Sequence, residues 1–162
     1  MKLETAHFGE IDVEEAKILD FGEGLPGFPD DRQFVLLEGA KEFGGEESTP
    51  FFWLQSVSNG DVAFILMDVF SFMPDYKPVL NPADFAELGE YNDGSRQDFL
   101  IYNIVVLPED VKKMSVNLVA PVIINQTMKK GKQIVASNSE YNVRHYLFDN
   151  MAPDNGEETI PG

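Results

Sequence analysis

Short apolar runs follow one another along the chain, and clusters of Gly, Pro, Asn and Asp separate them. Runs of this length that are rich in Val, Ile, Leu and Phe and bounded by turn residues are typical of β-strands. The pattern therefore predicts a chain built mostly of strands. The predicted strands cover residues 3–8, 16–21, 33–38, 51–57, 62–70, 99–107, 117–125 and 132–137.

Two pairs of these runs are close enough in sequence to form hairpins. The stretch SNGD (58–61) joins the fourth and fifth runs, and its Asn59-Gly60 is a dipeptide that tight hairpin turns favour. The stretch NQTMKKGK (125–132) joins the last two runs. The sequence thus predicts antiparallel pairing at both places.

The central runs are apolar on both faces. In the run 62–70, both sets of alternating positions are nearly all apolar until Asp68. A sheet with one wet face would show polar residues at every second position, so these strands need cover on both sides from a folded-over sheet, a helix or another protein. We predict a mainly β fold, either a small antiparallel β-barrel or a tight β-sandwich, with one or two short helices.

One helix is predicted between the fifth and sixth runs. Asn81 can cap it, and Pro82 suits its first position because that N–H has no helical partner. Phe85 and Leu88 give the helix a narrow apolar side. Residues 108–114 (PEDVKKM) are expected to add a single helical turn.

Pro121 stands in the middle of the run 117–125, where a strand normally needs a backbone N–H. Proline cannot donate to a ladder, so it must lie at a sheet edge, a bulge or a strand end. We favour a bulge or a bend at a barrel corner. A bulge at Ala120-Pro121 would change which residues of the run face inward.

The length of 162 residues is typical of a single domain that buries its own core. We predict one domain over residues 1–150 and a disordered acidic tail over residues 151–162. The chain has no cysteine, which excludes disulfides and thiolate chemistry and fits a reducing cytosol. No uninterrupted apolar run has the length of a membrane helix. We therefore expect a cytoplasmic protein that does not bind membranes.

The formal charge of −16 is concentrated in one part of the chain. Residues 1–110 hold 23 Asp and Glu against 6 Lys and Arg, while residues 111–162 hold 5 against 6. A negative field repels the phosphate backbone of nucleic acids and attracts basic protein surfaces. We predict no direct binding of nucleic acid. Solubility alone would also explain the acidic residues.

Residues that carry chemistry are few. His7 and His145 stand at opposite ends of the chain, and the sequence has no glycine-rich phosphate loop and no HExxH-type metal spacing. The pairs of adjacent acidic residues fit solvated turns better than an acid–base site. We predict no enzymatic activity, no catalytic residues, no metal site and no cofactor. The alternatives are a β-barrel that binds a small molecule in an internal cavity, and an enzyme that uses one of the histidines.

Six motifs occur together in a fixed order. They are GLPGF (24–28), FFWLQS (51–56), NIVVLPED (103–110), NLVAPVIIN (117–125), KGKQIV (130–135) and YNVRH (141–145). Together they closely resemble the FliW family of flagellar assembly factors, over about residues 1–150. The resemblance implies a small, mostly antiparallel β-barrel, in agreement with the strand pattern.

The resemblance also implies a regulator without catalytic activity. Proteins of this family bind cytoplasmic flagellin and the translational repressor CsrA, which is a small basic dimer that binds RNA. When flagellin has been exported, the freed protein antagonises CsrA allosterically, which couples flagellin synthesis to flagellin export. We accordingly expect flagellin and CsrA as the partners of a monomeric chain.

The contact surface is predicted where the motif residues least resemble a core. We select a loop aromatic, polar residues on apolar strands and residues of the interrupted strand: Phe28, Gln55, Asn103, Asn117, Pro121, Ile123 and Asn125. A structural interpretation is also open, in which the amides satisfy buried backbone groups and Phe28 closes the barrel end. Trp53 is assigned to the core.

Overall fold

The computed structural model describes residues 1–38, 51–90, 92, 94–138 and 140–148. The predicted tail at residues 151–162 lies outside these ranges. Within them, the chain forms the strands β1 (Lys2–Thr5), β2 (Gly9–Asp12), β3 (Leu19–Asp20), β4 (Gln33–Glu38), β5 (Phe51–Ser56), β6 (Ala63–Met67), β7 (Phe99–Val106), β8 (Ser115–Val116), β9 (Val122–Asn125), β10 (Lys130–Gln133) and β11 (His145–Tyr146).

Seven of these strands close into a barrel. β7 pairs with β6, and the sheet continues through β5, β4, β3 and β10 to β9, which pairs with β7 again. All of these pairings are antiparallel except the one between β3 and β10. The prediction of a small, mostly antiparallel barrel is confirmed. Closure removes the free sheet edges that would otherwise invite pairing with other chains.

The barrel interior follows the alternation of the strands. Successive residues of a strand face opposite sides, and the inward residues of β4, β5, β6, β7 and β9 all stand at even-numbered positions. These residues are Phe34, Leu36, Phe52, Leu54, Phe64, Leu66, Leu100, Tyr102, Ile104, Val122 and Ile124. Their side chains fill the barrel, as small barrels require.

The hairpin of β1 and β2 covers part of the outer face. It buries Trp53, whose indole lies 4.6 Å from the ring of His7 and 5.4 Å from the ring of Phe8 between centroids. The predicted strand 3–8 is wrong in its second half, because the chain turns after Thr5 and returns as β2. The placement of Trp53 in the core is confirmed.

Two further coverings bury other parts of the outer face. Residues 69–76 and 141–148 lie over a cluster around Val105. Residues 80–88 lie over a second cluster around Ile123. The predicted need for cover on both sides of the strands is confirmed, and the chain itself supplies it.

Helical structure within the described ranges is confined to short 3-10 helices. They are Glu15–Lys17, Val69–Ser71, Pro82–Phe85, Arg96–Asp98 and Val111–Lys113. The last of these confirms the single turn predicted at residues 108–114. The first shortens the predicted strand 16–21 to β3.

The predicted helix after Asn81 is thus a single 3-10 turn. Its cap is confirmed, since the Asn81 side chain accepts a hydrogen bond from the Ala83 N–H at 2.9 Å. Phe85 and Leu88, three residues apart, both enter the outer cluster around Ile123. The Leu88 N–H donates to the Phe85 carbonyl at 2.9 Å, so a bond of the 3-10 type continues past the helix and brings both side chains to one cluster.

The predicted run 117–125 forms a strand only in its second half, as β9, and the short strand β8 lies just before the run. Both pair with the same edge of β7, with Val116 of β8 opposite Val105 and Val122 of β9 opposite Tyr102. Between these two pairs the chain runs six residues, from Val116 to Val122, whereas β7 runs only three, from Val105 to Tyr102. The predicted interruption is confirmed.

The three extra residues lie within an excursion that spans the five residues 117–121. Because three is an odd number, the excursion inverts the alternation of side chains. Val116 packs in an outer cluster, whereas Val122 packs inside the barrel. The predicted change of the inward set is confirmed, but the interruption is an excursion over residues 117–121 rather than a bulge at Ala120-Pro121.

The predicted turn at Asn59-Gly60 is also confirmed, and it packs closely against β1. The Ala6 N–H donates to the Gly60 carbonyl at 3.0 Å. A Cβ on Gly60 would collide with the Glu4 carbonyl oxygen. Glycine therefore allows the two hairpins to meet.

We expect Gly60→Ala to lower the free energy of unfolding by about 1–3 kcal/mol, because the new methyl group forces the two hairpins apart. Gly94→Ala is the matched control, because a Cβ there would collide with no backbone atom and would come no closer than 3.4 Å to the Asn92 side chain. Urea denaturation of both variants measures the difference. Equal stability of the two variants would contradict this close packing.

Candidate functional site

The structure places the seven predicted contact residues at different depths. Phe28 is 37% exposed and Asn117 is half-buried. The other five are buried: Gln55, Asn103, Pro121, Ile123 and Asn125. A buried side chain cannot touch a partner unless the fold opens, so the direct role of these five residues is to stabilise the fold.

Asn103 and Asn117 meet at the excursion. Asn103 Nδ2 donates to the Asn117 carbonyl at 2.8 Å and to the Tyr76 hydroxyl at 3.0 Å. The Tyr76 hydroxyl donates in turn to the Leu118 carbonyl at 2.7 Å. Asn117 Oδ1 accepts from the backbone N–H groups two and three residues ahead, at 2.9 and 3.1 Å. These side chains replace the ladder hydrogen bonds that the excursion lacks.

Tyr76 is held in its neutral form at this point. Burial raises the pKa of its phenol to about 12. The hydrogen bond from Asn103 lowers the pKa and the nearby Tyr141 raises it, but burial has the largest effect. The hydroxyl therefore keeps its proton at physiological pH. It remains a donor to the excursion.

Pro121 ends the excursion just before β9 begins. Its carbonyl accepts a hydrogen bond from the Ile134 N–H at 3.0 Å, and the Ala120 carbonyl accepts one from Gln133 Nε2 at 3.0 Å. The ladder between β7 and β9 starts at Val122. The missing proline N–H therefore leaves no gap in that ladder.

Ile123 and Asn125 face the outer side of the barrel, beneath residues 80–88. Ile123 is fully buried against Phe85 and Leu88. Asn125 Nδ2 donates to the Leu88 carbonyl at 2.7 Å, and its Oδ1 accepts from two backbone N–H groups of the hairpin turn that follows. The pair thus holds the covering segment on the barrel.

Gln55 fixes the turn between β5 and β6. Its Nε2 lies 3.1–3.2 Å from the carbonyl oxygens of Ser56, Gly60 and Val62. The side chain is fully buried. Here too an amide on an apolar strand satisfies backbone groups.

Phe28 is the most accessible of the predicted contact residues. Its N–H donates to the Leu25 carbonyl at 2.8 Å, which closes the GLPGF loop. Gly24 has a φ of +86°, a conformation that L side chains rarely adopt. The Phe28 ring packs edge-to-face on Phe64 with 5.0 Å between centroids. The loop therefore presents part of an aromatic ring to solvent beside the barrel interior.

An apolar groove lies on the outer face of β7, and the sequence analysis missed it. Its volume is about 720 Å³, within the range of about 300–1,000 Å³ that ligand clefts occupy. The lining residues come from β7 and from two covering segments, and they are Phe70, Tyr76, Lys77, Pro78, Leu80, Pro82, Phe85, Ala86, Gly89, Glu90 and Ile101. The sequence offered no clear signal for it, because Phe70 ends the predicted strand 62–70 and its exposure is visible only in the structure.

The surroundings of the groove are acidic. Residues 70–90, which form most of the lining, contain four acidic residues and one lysine, Lys77. Glu87 pairs with Lys132, whose Nζ lies 3.8 Å from Oε1. Glu90 lies in the lining itself. The charge at the groove therefore favours cationic groups.

The histidines lie in different parts of the fold. His7 packs on Trp53 beneath the first hairpin, whereas His145 lies in β11 with its ring 6.4 Å from Phe72. In the part of the chain that the structure describes, no three His, Asp or Glu side chains converge as metal ligands. Over the same ranges, no helix has the length and apolar character that a membrane span requires.

The fold and its surface define a small closed β-barrel protein whose interior is packed and whose groove lies outside the barrel. A family model described as FliW protein matches residues 2–147. The flagellar assembly factor FliW of Caldicellulosiruptor saccharolyticus is 41% identical over 144 residues, which cover 89% of this chain and 88% of that protein. The chain therefore belongs to the FliW family of flagellar assembly factors.

Two further comparisons agree. The flagellar assembly factor FliW of Natranaerobius thermophilus is 40% identical over 152 residues, which cover 93% of this chain and 95% of that protein. A crystal structure of the flagellar assembly factor FliW superimposes with a TM-score of 0.78 at 33% identity, over 91% of this chain and 97% of that chain. The resemblance drawn from the six motifs is confirmed.

We expect Tyr76→Phe to lower the free energy of unfolding at neutral pH by about 1–3 kcal/mol, because the buried Leu118 carbonyl loses its donor. The unmodified protein should lose stability as the pH rises from about 10 to about 12, since the pKa of Tyr76 is raised in the folded state and the phenolate forms more readily in the unfolded chain. The variant should lose less over that range. Urea denaturation at neutral and alkaline pH measures both effects, and parallel alkaline losses would contradict the role of Tyr76.

Proposed function

We propose that this flagellar assembly factor is a cytoplasmic monomer that acts by binding other proteins and not by catalysis. Its partners are flagellin and the basic translational repressor CsrA, and its antagonism of CsrA is allosteric. Accumulating flagellin occupies the chain. After flagellin is exported, the free chain captures CsrA and flagellin translation resumes.

The observation that carries this proposal is the match to the FliW family over residues 2–147, which include every strand of the barrel. The related proteins compared above are flagellar assembly factors. A role in flagellar assembly is therefore common to them and to this chain. Control of flagellin supply is the form of that role which we propose.

The charge of the chain supports a basic partner. Residues 1–110 hold 23 acidic against 6 basic residues. Complementary potentials raise association rates, and the effect weakens with salt. The same field opposes binding of RNA, so the proposal is contact with the repressor protein itself.

Switching between partners requires that the two complexes exclude each other. The predicted contact residues enter this proposal in two ways. Phe28 and Asn117 reach the surface and are proposed as direct contacts. The buried residues are proposed to hold the surrounding surface in its binding shape, and they are Gln55, Asn103, Pro121, Ile123 and Asn125.

The packed interior argues against the alternative of a barrel that encloses a small molecule. Such a protein needs a cavity of ligand size inside the barrel. Phe34, Leu54 and Val122 are fully buried there and occupy that space together with the other inward side chains. Binding at the outer surface is therefore the better account.

We expect the immobilised chain to retain purified CsrA and to release it when flagellin is added, because the two complexes exclude each other. Raising the salt concentration should weaken the CsrA complex. An unrelated basic protein of similar size serves as the control for non-specific attraction. Retention of CsrA that flagellin does not alter would contradict the exclusion, and retention of neither partner would contradict the proposed function.

We expect Phe28→Asp to weaken the binding of one partner by about tenfold, as removal of an aromatic anchor does at other interfaces. The thermal midpoint is measured alongside, because the Phe28 ring also packs on Phe64. Val143→Asp is the control, because Val143 is 63% exposed and lies outside the predicted contact set. Ile123→Ala is expected instead to lower the free energy of unfolding by about 2–5 kcal/mol, since Ile123 is fully buried. Titration calorimetry against each partner measures the affinities. Unchanged affinity of Phe28→Asp for both partners would remove Phe28 from the contact surface.

A further inference from the structure

The groove on β7 exposes apolar side chains to solvent. Phe70 and Ala86 are both exposed, and both line it. Leu80 and Ile101, which are half-buried, extend the apolar lining. Contiguous apolar surface of this kind is typical of sites that bind other molecules.

The groove is preformed, because the fold holds its walls. On one side, the Tyr76 hydroxyl donates to the Leu118 carbonyl at 2.7 Å. On the other side, Asn125 Nδ2 donates to the Leu88 carbonyl at 2.7 Å. A site whose walls are already ordered loses little conformational entropy when it is occupied.

Charge indicates what kind of molecule fits. The segment 70–90 carries a net charge of −3, and the ion pair of Glu87 with Lys132 reduces the uncompensated charge there to −2. A second copy of this chain would bring the same charge and would be repelled. A peptide segment that inserts apolar side chains and places lysine or arginine beside them matches both the apolar lining and the acidic surroundings.

We propose that this groove binds a short amphipathic protein segment with apolar side chains on one face and lysine or arginine beside them. Phe70, Leu80 and Ile101 contact the apolar side chains, and the acidic residues of segment 70–90 attract the cations. The inference deepens the proposed function and rests on it, because it assigns the groove to the basic partner, CsrA, and not to flagellin.

A matched pair of substitutions tests the position of the site. Ala83 and Ala86 are both exposed and lie three residues apart, but Ala86 lines the groove and Ala83 does not. We expect Ala86→Lys to raise the Kd for CsrA at least about tenfold, because the added side chain fills the groove with a like charge, and Ala83→Lys to change it less than about twofold. Equal thermal midpoints show that both variants fold. Equal affinity for CsrA, or a loss confined to flagellin, would overturn the proposal.

A second pair tests the charge of the occupant and does not depend on filling the groove. Lys77 lines the groove, whereas Lys17 is an exposed lysine outside it, so Lys77→Glu and Lys17→Glu change the net charge equally. We expect Lys77→Glu to tighten CsrA binding several-fold more than Lys17→Glu at low salt, with the difference lost at high salt because the charges are screened. Weaker binding by Lys77→Glu, or equal binding by the two variants, would overturn the assignment of a basic occupant.

A third probe separates failure of the groove from failure of the proposed function. It is a synthetic helical peptide with leucine on one face and lysine on the other, titrated into the unmodified chain, Ala86→Lys and Ala83→Lys. If the unmodified chain binds neither CsrA nor flagellin, the proposed function fails. The peptide titrations alone then test whether the groove is a binding site. Binding that Ala86→Lys weakens and Ala83→Lys retains supports the groove, and equal binding by all three proteins overturns it.

Discussion

Two strands share one edge of β7, and closure of the barrel depends on how they share it. β9 takes the first half of that edge and completes the ring, while β8 takes the end and pairs with β11 outside the ring. A strand that ran straight from β8 to β9 would turn Asn117 and Asn125 into the apolar interior. The excursion prevents this, and the side chains of Asn103, Asn117 and Tyr76 bind the backbone groups that it frees. Closure thus depends on a few polar side chains as well as on apolar packing.

Local patterns predicted the features that local physics decides. Alternation and turn chemistry located β4, β5, β6 and β7, and Asn59-Gly60 located a hairpin, because these signals act within a few residues. The predicted runs 16–21 and 132–137 overlap β3 and β10 by only two residues each. The contact residues were harder to predict. An amide on an apolar strand suggests either a partner or a buried backbone group, and Asn103 reaches its backbone partner only across the strand pair. The groove was missed for the same reason, since Tyr76 and Ile101 meet there only after the chain has folded.

Tyr76 belongs to both of the features that bear on function. Its ring lines the groove, and its hydroxyl holds the excursion through Leu118. A molecule in the groove therefore lies against the segment that holds Tyr76, whose hydroxyl positions the excursion where Asn117 reaches the surface. In the proposed function, this side chain is a physical route by which one partner changes the surface that the other meets.

The odd number of surplus residues in the excursion also restricts which insertions and deletions the chain can tolerate there. Loss of a single codon would leave an even surplus, so Ile123 and Asn125 would rotate into the hydrocarbon interior and Val122 and Ile124 would rotate out of it. Loss or gain of two codons preserves the orientation of every residue that follows. The segment should accordingly tolerate insertions and deletions that change its length by two residues better than those that change it by one.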